Sequence, residues 1–455
     1  MQGFTTMLSS KNKVFIRGLF AAGATAAAVF AAPANAALPI ESWTAASGAK
    51  VMFMRAEALP MLDVRVDFPA GSRADPKGKE GLASATGDMI GRGAEGLSEN
   101  DIADGFADTG AQFSGGASSD SAGVQLRTLT SEPEFSKAIS LMKTVLQKPV
   151  FNADILARET ARSVAGLKEA LTKPDTLADR AFATALYPNH PYGTHTTEAS
   201  LKAITLADVE QFYKTRYLGN KAVVSLVGNI TRAQAEKLAN ELTAGLPKGE
   251  LQGNFLGGVD YQELQAAMKG QTIQIDHPAA QSHILMGLPA MRRGAPDYFD
   301  LLVANHILGG GGFVSRLMNE IREKRGLAYS AYSYFMPAGD AGPFQAGVQT
   351  KKESTAQAVQ IMRKTILDFI EKGPTQAELN AAKQNLIGGF PLRIDSNGKL
   401  LGNISMMGLH NMPLDYLDNW TAEIEKVTVQ SAREAFARHV KADKLVTVVV
   451  GGKVE

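Results

Sequence analysis

Short apolar runs of strand type alternate with longer amphipathic segments along most of this chain. Residues 111–117 and 124–129 are two neighbouring strand-like runs, and such hairpin-like neighbours favour an antiparallel or mixed sheet over a doubly wound one. Apolar residues at helical spacing predict helices near residues 134–147, 153–172 and 206–216. The pattern therefore predicts an α+β fold, built as layer sandwiches in which helices cover a mixed sheet.

The second half of the chain repeats the pattern of the first. Residues 68–70 match residues 288–290, about 220 positions further along. The segment 205–228 matches 428–451 at nearly the same spacing, and both segments run from a polar-started helix into a β-branched strand. Two tandem copies of one fold are the simplest explanation.

The repeat and the glycine distribution divide the chain into four expected segments. Residues 1–36 contain early cations, an apolar run and small residues before a cleavage point, which predicts an export signal peptide. A membrane anchor is the weaker alternative, because the apolar run is short for a spanning helix. We expect an N-terminal domain over 37–250, a flexible glycine-rich linker over 251–270 and a C-terminal domain over 271–455.

Composition narrows the class of protein. The net charge is +1 and the charges form no basic block, which argues against a nucleic-acid-binding role. The 455-residue chain contains no cysteine, so the fold of the exported protein is held by core burial without disulfides. Together with the signal peptide, these features predict a bacterial periplasmic protein.

Residues 81–88, Gly-Leu-Ala-Ser-Ala-Thr-Gly-Asp, contain the first functional signal. The segment follows an acidic, glycine-containing turn and resembles the pitrilysin/insulinase-type zinc peptidases, whose inverted motif is His-x-x-Glu-His. By motif position, Ser84, Gly87 and Asp88 replace the residues that the resemblance implies for metal binding and proton transfer. Gly166, in an Arg/Glu-rich helical stretch, replaces the implied glutamate ligand. Because catalytic zinc needs three protein ligands, we expect no metal cofactor in this chain.

Residues 315–330 contain the second functional signal. Arg322 falls in the last turn of an expected helix, Gly326 suits the left-handed position after it, and Tyr329 begins an extended run. The stretch resembles the arginine/tyrosine pair of the same family, which implies that Arg322 and Tyr329 hydrogen-bond the peptide backbone near the scissile bond. The alternative is that Arg322 caps a helix and Tyr329 packs on the sheet.

Three smaller features bear on the surroundings of this pair. The glycine run 309–312 lacks the Gly-Lys-Ser/Thr of a phosphate loop, so we expect a turn that lets a helix approach or pivot. Phe113 aligns with Tyr329 in the repeat, and the resemblance implies that peptides add as a strand to such a sheet edge. His190 and His195 share a Pro/Gly-containing loop, for which a structural role is favoured over metal binding.

The resemblance covers nearly the whole mature chain. It implies that halves built from this fold face each other like a clamshell around a peptide chamber. One hypothesis is a non-catalytic subunit of a heterodimeric zinc metalloendopeptidase. In that hypothesis this chain supplies Arg322, Tyr329 and half of a chamber for unfolded peptides, and a homologous partner subunit supplies the zinc. A second hypothesis is a catalytically dead peptide-binding or scaffold protein of the same fold. A third, a hydrolase with Ser84 as nucleophile, lacks a histidine nearby in sequence.

Overall fold

The structure is a computed structural model that describes residues 39–251 and 258–454. The described residues form one compact unit. The expected signal peptide, residues 1–36, lies outside the described residues. Within the described ranges, no helix has the length and apolar character needed to cross a membrane.

Two sheets with the same strand order form the framework of the fold. The first contains β1 (Ile40–Thr44), β2 (Lys50–Arg55), β3 (Met61–Phe68), β4 (Gln112–Ala117), β5 (Ala122–Leu129) and β6 (Val223–Gly228). The second contains β7 (Gln271–Asp276), β8 (Gln281–Met291), β9 (Ala328–Phe335), β10 (Gly342–Lys351) and β11 (Val446–Gly451). Their strand orders are β1-β2-β6-β3-β5-β4 and β7-β11-β8-β10-β9.

Strand direction shows the same repeat. Each sheet has one parallel pair, β2 with β6 and β7 with β11, and its other neighbours are antiparallel. Apart from the additional β1, the two sheets share one topology. The predicted tandem repeat and the predicted mixed-sheet α+β class are confirmed.

Helices pack on both sheets. The first half contains α1 (Leu82–Met89), α2 (Glu99–Asp108), α3 (Glu134–Gln147), α4 (Ala153–Ala170), α5 (Pro174–Leu186), α6 (Glu198–Ala203), α7 (Leu206–Arg216) and α8 (Arg232–Thr243). They are followed by α9 (Tyr261–Ala266), α10 (Tyr298–Asn305), α11 (Arg316–Met318), α12 (Thr355–Lys372), α13 (Gln376–Gly389), α14 (Asn397–Leu409), α15 (Tyr416–Lys426) and α16 (Val429–His439). The helices predicted at 134–147 and 206–216 have those bounds, and the one predicted at 153–172 ends at Ala170.

Capping side chains determine where equivalent helices of the two halves begin. The Thr205 hydroxyl accepts a hydrogen bond from the Asp208 amide before α7, and the Asp208 carboxylate accepts from the Thr205 amide. Thr428 and Ser431 form the same reciprocal capping box before α16. The repeat therefore extends from topology to individual side-chain contacts.

The expected linker is partly helical. Residues 252–257 lie outside the described residues, but α9 follows and is anchored to the second half. Tyr261 is buried, with its ring centroid 4.1 Å from that of His439, and Gln265 Nε2 donates to the Pro289 carbonyl at 2.6 Å and to the His439 carbonyl at 2.9 Å. The α9 part of the expected linker is thus packed against the second half, and its flexibility stays a prediction. The domain boundaries stay a prediction.

Helix α5 of the first half packs on the sheet of the second. Ala178, Phe182 and Leu186 are buried in the second-half core with residues of β8 and β11. A Cβ at Gly287 on β8 would lie 1.9 Å from the Phe344 carbonyl oxygen of β10 and 3.0 Å from the Phe182 ring, so both the neighbouring strand and α5 approach this glycine closely. A helix that precedes the linker in sequence thus completes the other half's sandwich.

Helix α14 makes the reciprocal contact with the first sheet. One buried cluster contains its apolar side chains together with those of β1, β2, β6 and α15: Ile40, Met52, Met54, Val223, Val227, Leu400, Leu401, Ile404, Met407 and Leu417. Ser405 adds a buried hydrogen bond of 2.6 Å to Asp67 on β3. The strands of the first sheet contribute apolar side chains to two separate buried clusters, and an apolar sheet face is buried against another element. Each half therefore depends on a helix from the other.

Removing the Ser405 hydroxyl tests how much the contact between α14 and the first sheet stabilises the fold. Burial raises the pKa of Asp67, against the lowering effects of Arg65 and of Ser405. We expect Ser405→Ala to lower the free energy of unfolding by about 1–3 kcal/mol, because a buried carboxyl group loses a partner. Urea unfolding measures the change, with Ser140→Ala at an exposed position of α3 as the control. A change no larger than that of the control would argue against the coupling.

A buried charged cluster joins the two repeats at their strand turns. We call Arg73, Asp120, His190, Tyr192 and Asp340 the inter-repeat cluster. Arg73 Nη1 lies 3.2 Å from Asp120 and its Nη2 lies 2.5 Å from Asp340. Asp120 and Asp340 occupy equivalent turns of the two repeats, β4–β5 and β9–β10. One arginine therefore binds an aspartate from each repeat.

Asp340 is the most heavily hydrogen-bonded member of this cluster. Its side chain is fully buried and accepts from the amides of Gly258 and Val259 at 2.7 and 2.9 Å. His190 Nδ1 accepts from the Tyr192 amide, so Nε2 carries the proton and donates to Asp340 at 2.8 Å. Burial opposes ionisation, but these hydrogen bonds and the Arg73 charge lower the pKa of Asp340 to about 2.

Candidate functional site

The segment between α11 and β9 carries both residues of the arginine/tyrosine pair. Arg322 lies in a π-helical turn, Asn319–Glu323, that continues α11. Gly326 has a φ of 61°, the left-handed conformation that ends such a segment, and Tyr329 is the second residue of β9. The predicted order of helix, glycine stop and strand is confirmed. Short π-helical turns occur frequently at functional sites.

The structure brings Arg322 and Tyr329 together at the surface. The Arg322 guanidinium carbon lies 5.6 Å from the centre of the Tyr329 ring and 4.6 Å from that of Phe313. Tyr329 is 89% exposed, and Phe313 and Val314 are 66% and 82% exposed. We call these four residues the arginine-aromatic surface. Sheet packing does not account for a tyrosine this exposed, and the role of the pair in binding peptide stays a prediction.

The glycine run places Phe313 in this surface. A second π-helical turn, His306–Gly310, precedes a short 3-10 helix, Gly312–Val314. Gly309 packs directly on β9, because a Cβ there would lie 2.4 Å from the Ser333 hydroxyl. The expectation that the glycines let a helix approach its neighbour is correct at Gly309.

The degenerate metal-site positions lie on α1 and α4. Ser84, Asp88 and Gly166 line one pocket of about 350 Å³, so three of the four predicted positions meet. Gly87 faces the other way and is buried, since a Cβ there would lie 3.2 Å from the Gly116 carbonyl carbon on β4. No histidine is among the described residues that line this pocket, so no Ser–His pair forms there.

Glu159 is a pocket residue that the motif comparison did not single out. It lies on α4 two turns before Gly166, a spacing that places both residues on one helix face. Burial raises the pKa of Asp88, and the Glu159 charge adds to that increase. Burial acts on Glu159 too, but its hydrogen bond to Arg158 and the charges of Arg92 and Arg162 lower the pKa of Glu159.

These donors do not fit a catalytic zinc site. Glu159 is already bound by Arg158 and Arg162, at 2.9 and 3.1 Å, so Asp88 is the carboxylate left for a metal. A catalytic zinc needs three protein ligands. Across residues 39–251 and 258–454, no group of three or more His, Cys, Asp or Glu side chains is placed to hold a metal ion.

Phe113 is not the structural counterpart of Tyr329, so the predicted alignment of the two is wrong. Phe113 pairs with Leu126 in the first sheet as Ala331 pairs with Val348 in the second, which makes Ala331 the equivalent residue. Both β4 and β9 are edge strands. Phe113 stacks on Phe106 of α2, with ring centroids 4.7 Å apart and planes 3° apart, so its ring serves packing. The exposed aromatic ring therefore belongs to the second repeat's edge and not to the first.

The fold and this site define a class of protein with two tandem mixed-sheet sandwiches. The first repeat has a pocket between helices with too few metal-ligating side chains for a catalytic zinc, and the second has an exposed arginine/tyrosine pair. Residues 51–200 match the family model of insulinase, peptidase family M16, and residues 203–386 match that of the peptidase M16 inactive domain. The chain belongs to the M16 (insulinase) peptidase family, and the resemblance inferred from its motifs is confirmed.

Individual relatives cover most of the chain. A crystal structure described as a peptidase M16 inactive domain from Pseudomonas fluorescens is 35% identical, with a TM-score of 0.85 over 92% of this chain and 99% of that one. The Helicobacter pylori protein described as non-peptidase homolog YmxG is 28% identical over 89% of this chain and 92% of that protein. The Bacillus subtilis protein described as uncharacterized zinc protease YmxG is 23% identical over 80% and 87%.

Proposed function

We propose that this chain is the non-catalytic subunit of a heterodimeric zinc metalloendopeptidase. A homologous partner subunit supplies the zinc and its ligands, and this chain supplies Arg322, Tyr329 and half of the peptide chamber. The observation that carries the proposal is the pairing of an exposed Arg322–Tyr329 surface with a helix pocket that lacks metal ligands. Membership of the M16 family supports it.

The chemistry of the pair suits binding of an extended peptide. A guanidinium and a phenol both donate hydrogen bonds, and here they project beside the outer edge of β9. An edge strand offers unpaired backbone groups to which a peptide can add as a further strand. The two side chains would then reach carbonyl oxygens of that peptide, and Phe313 would cover the guanidinium on its other side.

The same donors are most effective where negative charge develops. When water attacks a peptide carbonyl, its oxygen gains negative charge, and a positioned donor stabilises that charge more than it stabilises the ground state. Zinc held by the partner would supply the activated water. The part of this chain is to orient the peptide and to donate hydrogen bonds to it.

A catalytically dead peptide-binding or scaffold protein of the same fold is the second candidate. The observation that favours it is the relative from Helicobacter pylori, which is described as a non-peptidase homolog. In that case the arginine-aromatic surface would bind peptides or a partner without any hydrolysis. The two candidates differ in whether a zinc-bearing subunit accompanies the chain.

Co-purification with metal analysis decides between them. We expect the tagged chain, isolated from the cells that produce it, to carry a homologous partner and one zinc per complex. The chain alone should bind no stoichiometric zinc and should not cleave unfolded peptides, because Ser84, Gly87, Asp88 and Gly166 replace the required groups. One equivalent of zinc on the isolated chain that disappears in Asp88→Ala would refute the proposal, whereas a partner without zinc would favour the scaffold.

We further propose that the protein is exported to the periplasm and that residues 1–36 are removed. The sequence features of this segment support the proposal. N-terminal sequencing of the mature protein should give a start near Ala37. Mature protein that retains Met1 would contradict it.

A further inference from the structure

A second cavity lies where the two repeats meet. Its volume is about 690 Å³, within the range of small-molecule sites. Its walls come from α5, from the end of α14 and from the β4–β5 and β9–β10 turns. Apolar side chains dominate the lining, including Phe182, Leu186, Met336, Pro337 and Leu409. The cavity is separate from the pocket of Ser84 and Asp88, and none of the arginine-aromatic surface lines it.

Arg293 enters this apolar cavity without a counter-charge. Within residues 39–251 and 258–454, its guanidinium takes part in no hydrogen bond or ion pair, and its Nε is buried without a partner. Its counterpart in the first repeat is Arg73, which binds both Asp120 and Asp340. Both aspartates of the two equivalent turns thus pair with Arg73, and Arg293 has no carboxylate partner among the described residues.

His410 stands beside Arg293 at the end of α14. His410 lines the same cavity. Burial and the charge of Arg293 lower the pKa of His410, against the raising effect of Asp120. This end of the cavity therefore offers a guanidinium and an imidazole, both able to donate to an oxyanion.

Among the described residues, two carboxylates border the cavity, and Asp120 acts on His410, but neither forms an ion pair with Arg293. Asp120 is bound by Arg73, by the Tyr192 hydroxyl and by the Gly339 amide. The pKa of Asp179 is raised by burial and by Asp175, whereas the titratable neighbours that Arg293 influences are His410 and Tyr416. The buried Nε of Arg293 has no partner among the described residues and can donate to water or to a bound group.

We propose that this cavity binds a carboxylate attached to an apolar group, with the carboxylate on Arg293 and His410 and the apolar part between α5 and the β9–β10 turn. Planar guanidinium groups recognise carboxylates through paired hydrogen bonds. The apolar walls exclude a small inorganic anion as the preferred ligand, because it would leave most of the cavity unfilled. The C-terminus of a hydrophobic peptide and a medium-chain fatty acid share this chemistry.

The proposal is independent of a zinc-bearing partner, because every group in it belongs to this chain. Calorimetric titration of the full mature chain tests it with three probes: the tripeptide Leu-Leu-Phe, its C-terminal amide, and octanoate. We expect at least one free carboxylate to bind. The amide should bind about tenfold or more weakly than the free tripeptide if the peptide is the ligand, since it loses a charged hydrogen bond.

Three variants complete the experiment. Arg293→Gln removes the charge, Arg292→Gln removes the same charge from the adjacent residue that does not line the cavity, and Ala183→Phe fills the cavity from α5. Arg293→Gln should weaken binding about tenfold or more, Ala183→Phe should abolish it, and Arg292→Gln should leave it unchanged. Thermal unfolding of each variant confirms that the fold is retained.

The binding results distinguish the two possible ligands and show whether the cavity is the binding site. Binding of the tripeptide alone identifies a peptide C-terminus as the ligand, and binding of octanoate alone identifies a fatty acid. Failure of both carboxylates at millimolar concentration would overturn the proposal. Binding that is equal in Arg293→Gln and Arg292→Gln, or that survives Ala183→Phe, would also overturn it, because the ligand would then lie elsewhere.

Discussion

Replacing Arg322 by alanine is expected to reduce the turnover of an assembled peptidase complex by about 10²- to 10³-fold, the usual effect of losing one donor to a developing oxyanion. Assembly should be unaffected, because the side chain is at the surface and stacks between Phe313 and Tyr329 without a role in the core. Steady-state kinetics with an unfolded peptide measures kcat and KM separately. A loss confined to substrate binding would be smaller and would appear mainly in KM.

The chain offers matched controls for this experiment. Arg325→Ala removes the same charge from the same segment, where Arg325 pairs with Glu320 at 2.7 Å. Tyr329→Phe removes only the hydroxyl and should reproduce the loss of turnover. Tyr334→Phe is the control, because it removes the hydroxyl of a half-exposed tyrosine on the same strand and should not reproduce that loss. Unchanged kinetics for Arg322→Ala and Tyr329→Phe in a properly assembled complex would leave the pair without a part in turnover.

Replacing Asp340 by alanine should lower the free energy of unfolding by about 3–5 kcal/mol, because it leaves a buried arginine without one of its partners. The side chain of Arg73 is only 7% exposed, so water cannot replace the lost carboxylate well. His190 and two backbone amides would also lose their acceptor. Since the cluster joins the two repeats, the loss should appear as one cooperative transition at lower urea concentration.

The effect of Asp340 should depend on pH in a defined direction. Its pKa is lowered from 3.8 to about 2, so the carboxylate stabilises the folded protein at neutral pH and loses that contribution as the pH falls from about 4 towards 2. The difference between Asp340→Ala and the unaltered protein should shrink over that interval. Asp395→Ala is the control, because Asp395 is 42% exposed and pairs with Lys399 one helical turn away. Equal effects of the two substitutions would show that the cluster does not stabilise the fold.

Local features of the chain could be predicted from the sequence because they depend on neighbours a few residues apart. Helical spacing predicted the bounds of α3 and α7, and α7 begins at a capping box formed by residues three positions apart. Gly326 marked the end of the helical segment before β9 because few other residues adopt its positive φ. The tandem repeat was visible because equivalent positions kept their spacing, and the missing metal ligands were visible because the motif is contiguous.

Features that join distant parts of the chain were decided by the tertiary structure. Amphipathic patterns show that α5 and α14 bury an apolar face, but not that each buries it on the other half's sheet. Glu159 enters the pocket of Asp88 through the packing of α4 on α1. Arg73 and Arg293 are equivalent in sequence, yet one binds both aspartates of the turns and the other faces a cavity. The physical reason is that a buried charge pairs with the groups that packing of the two halves brings close to it. The distance between those groups in space cannot be read from their separation along the chain.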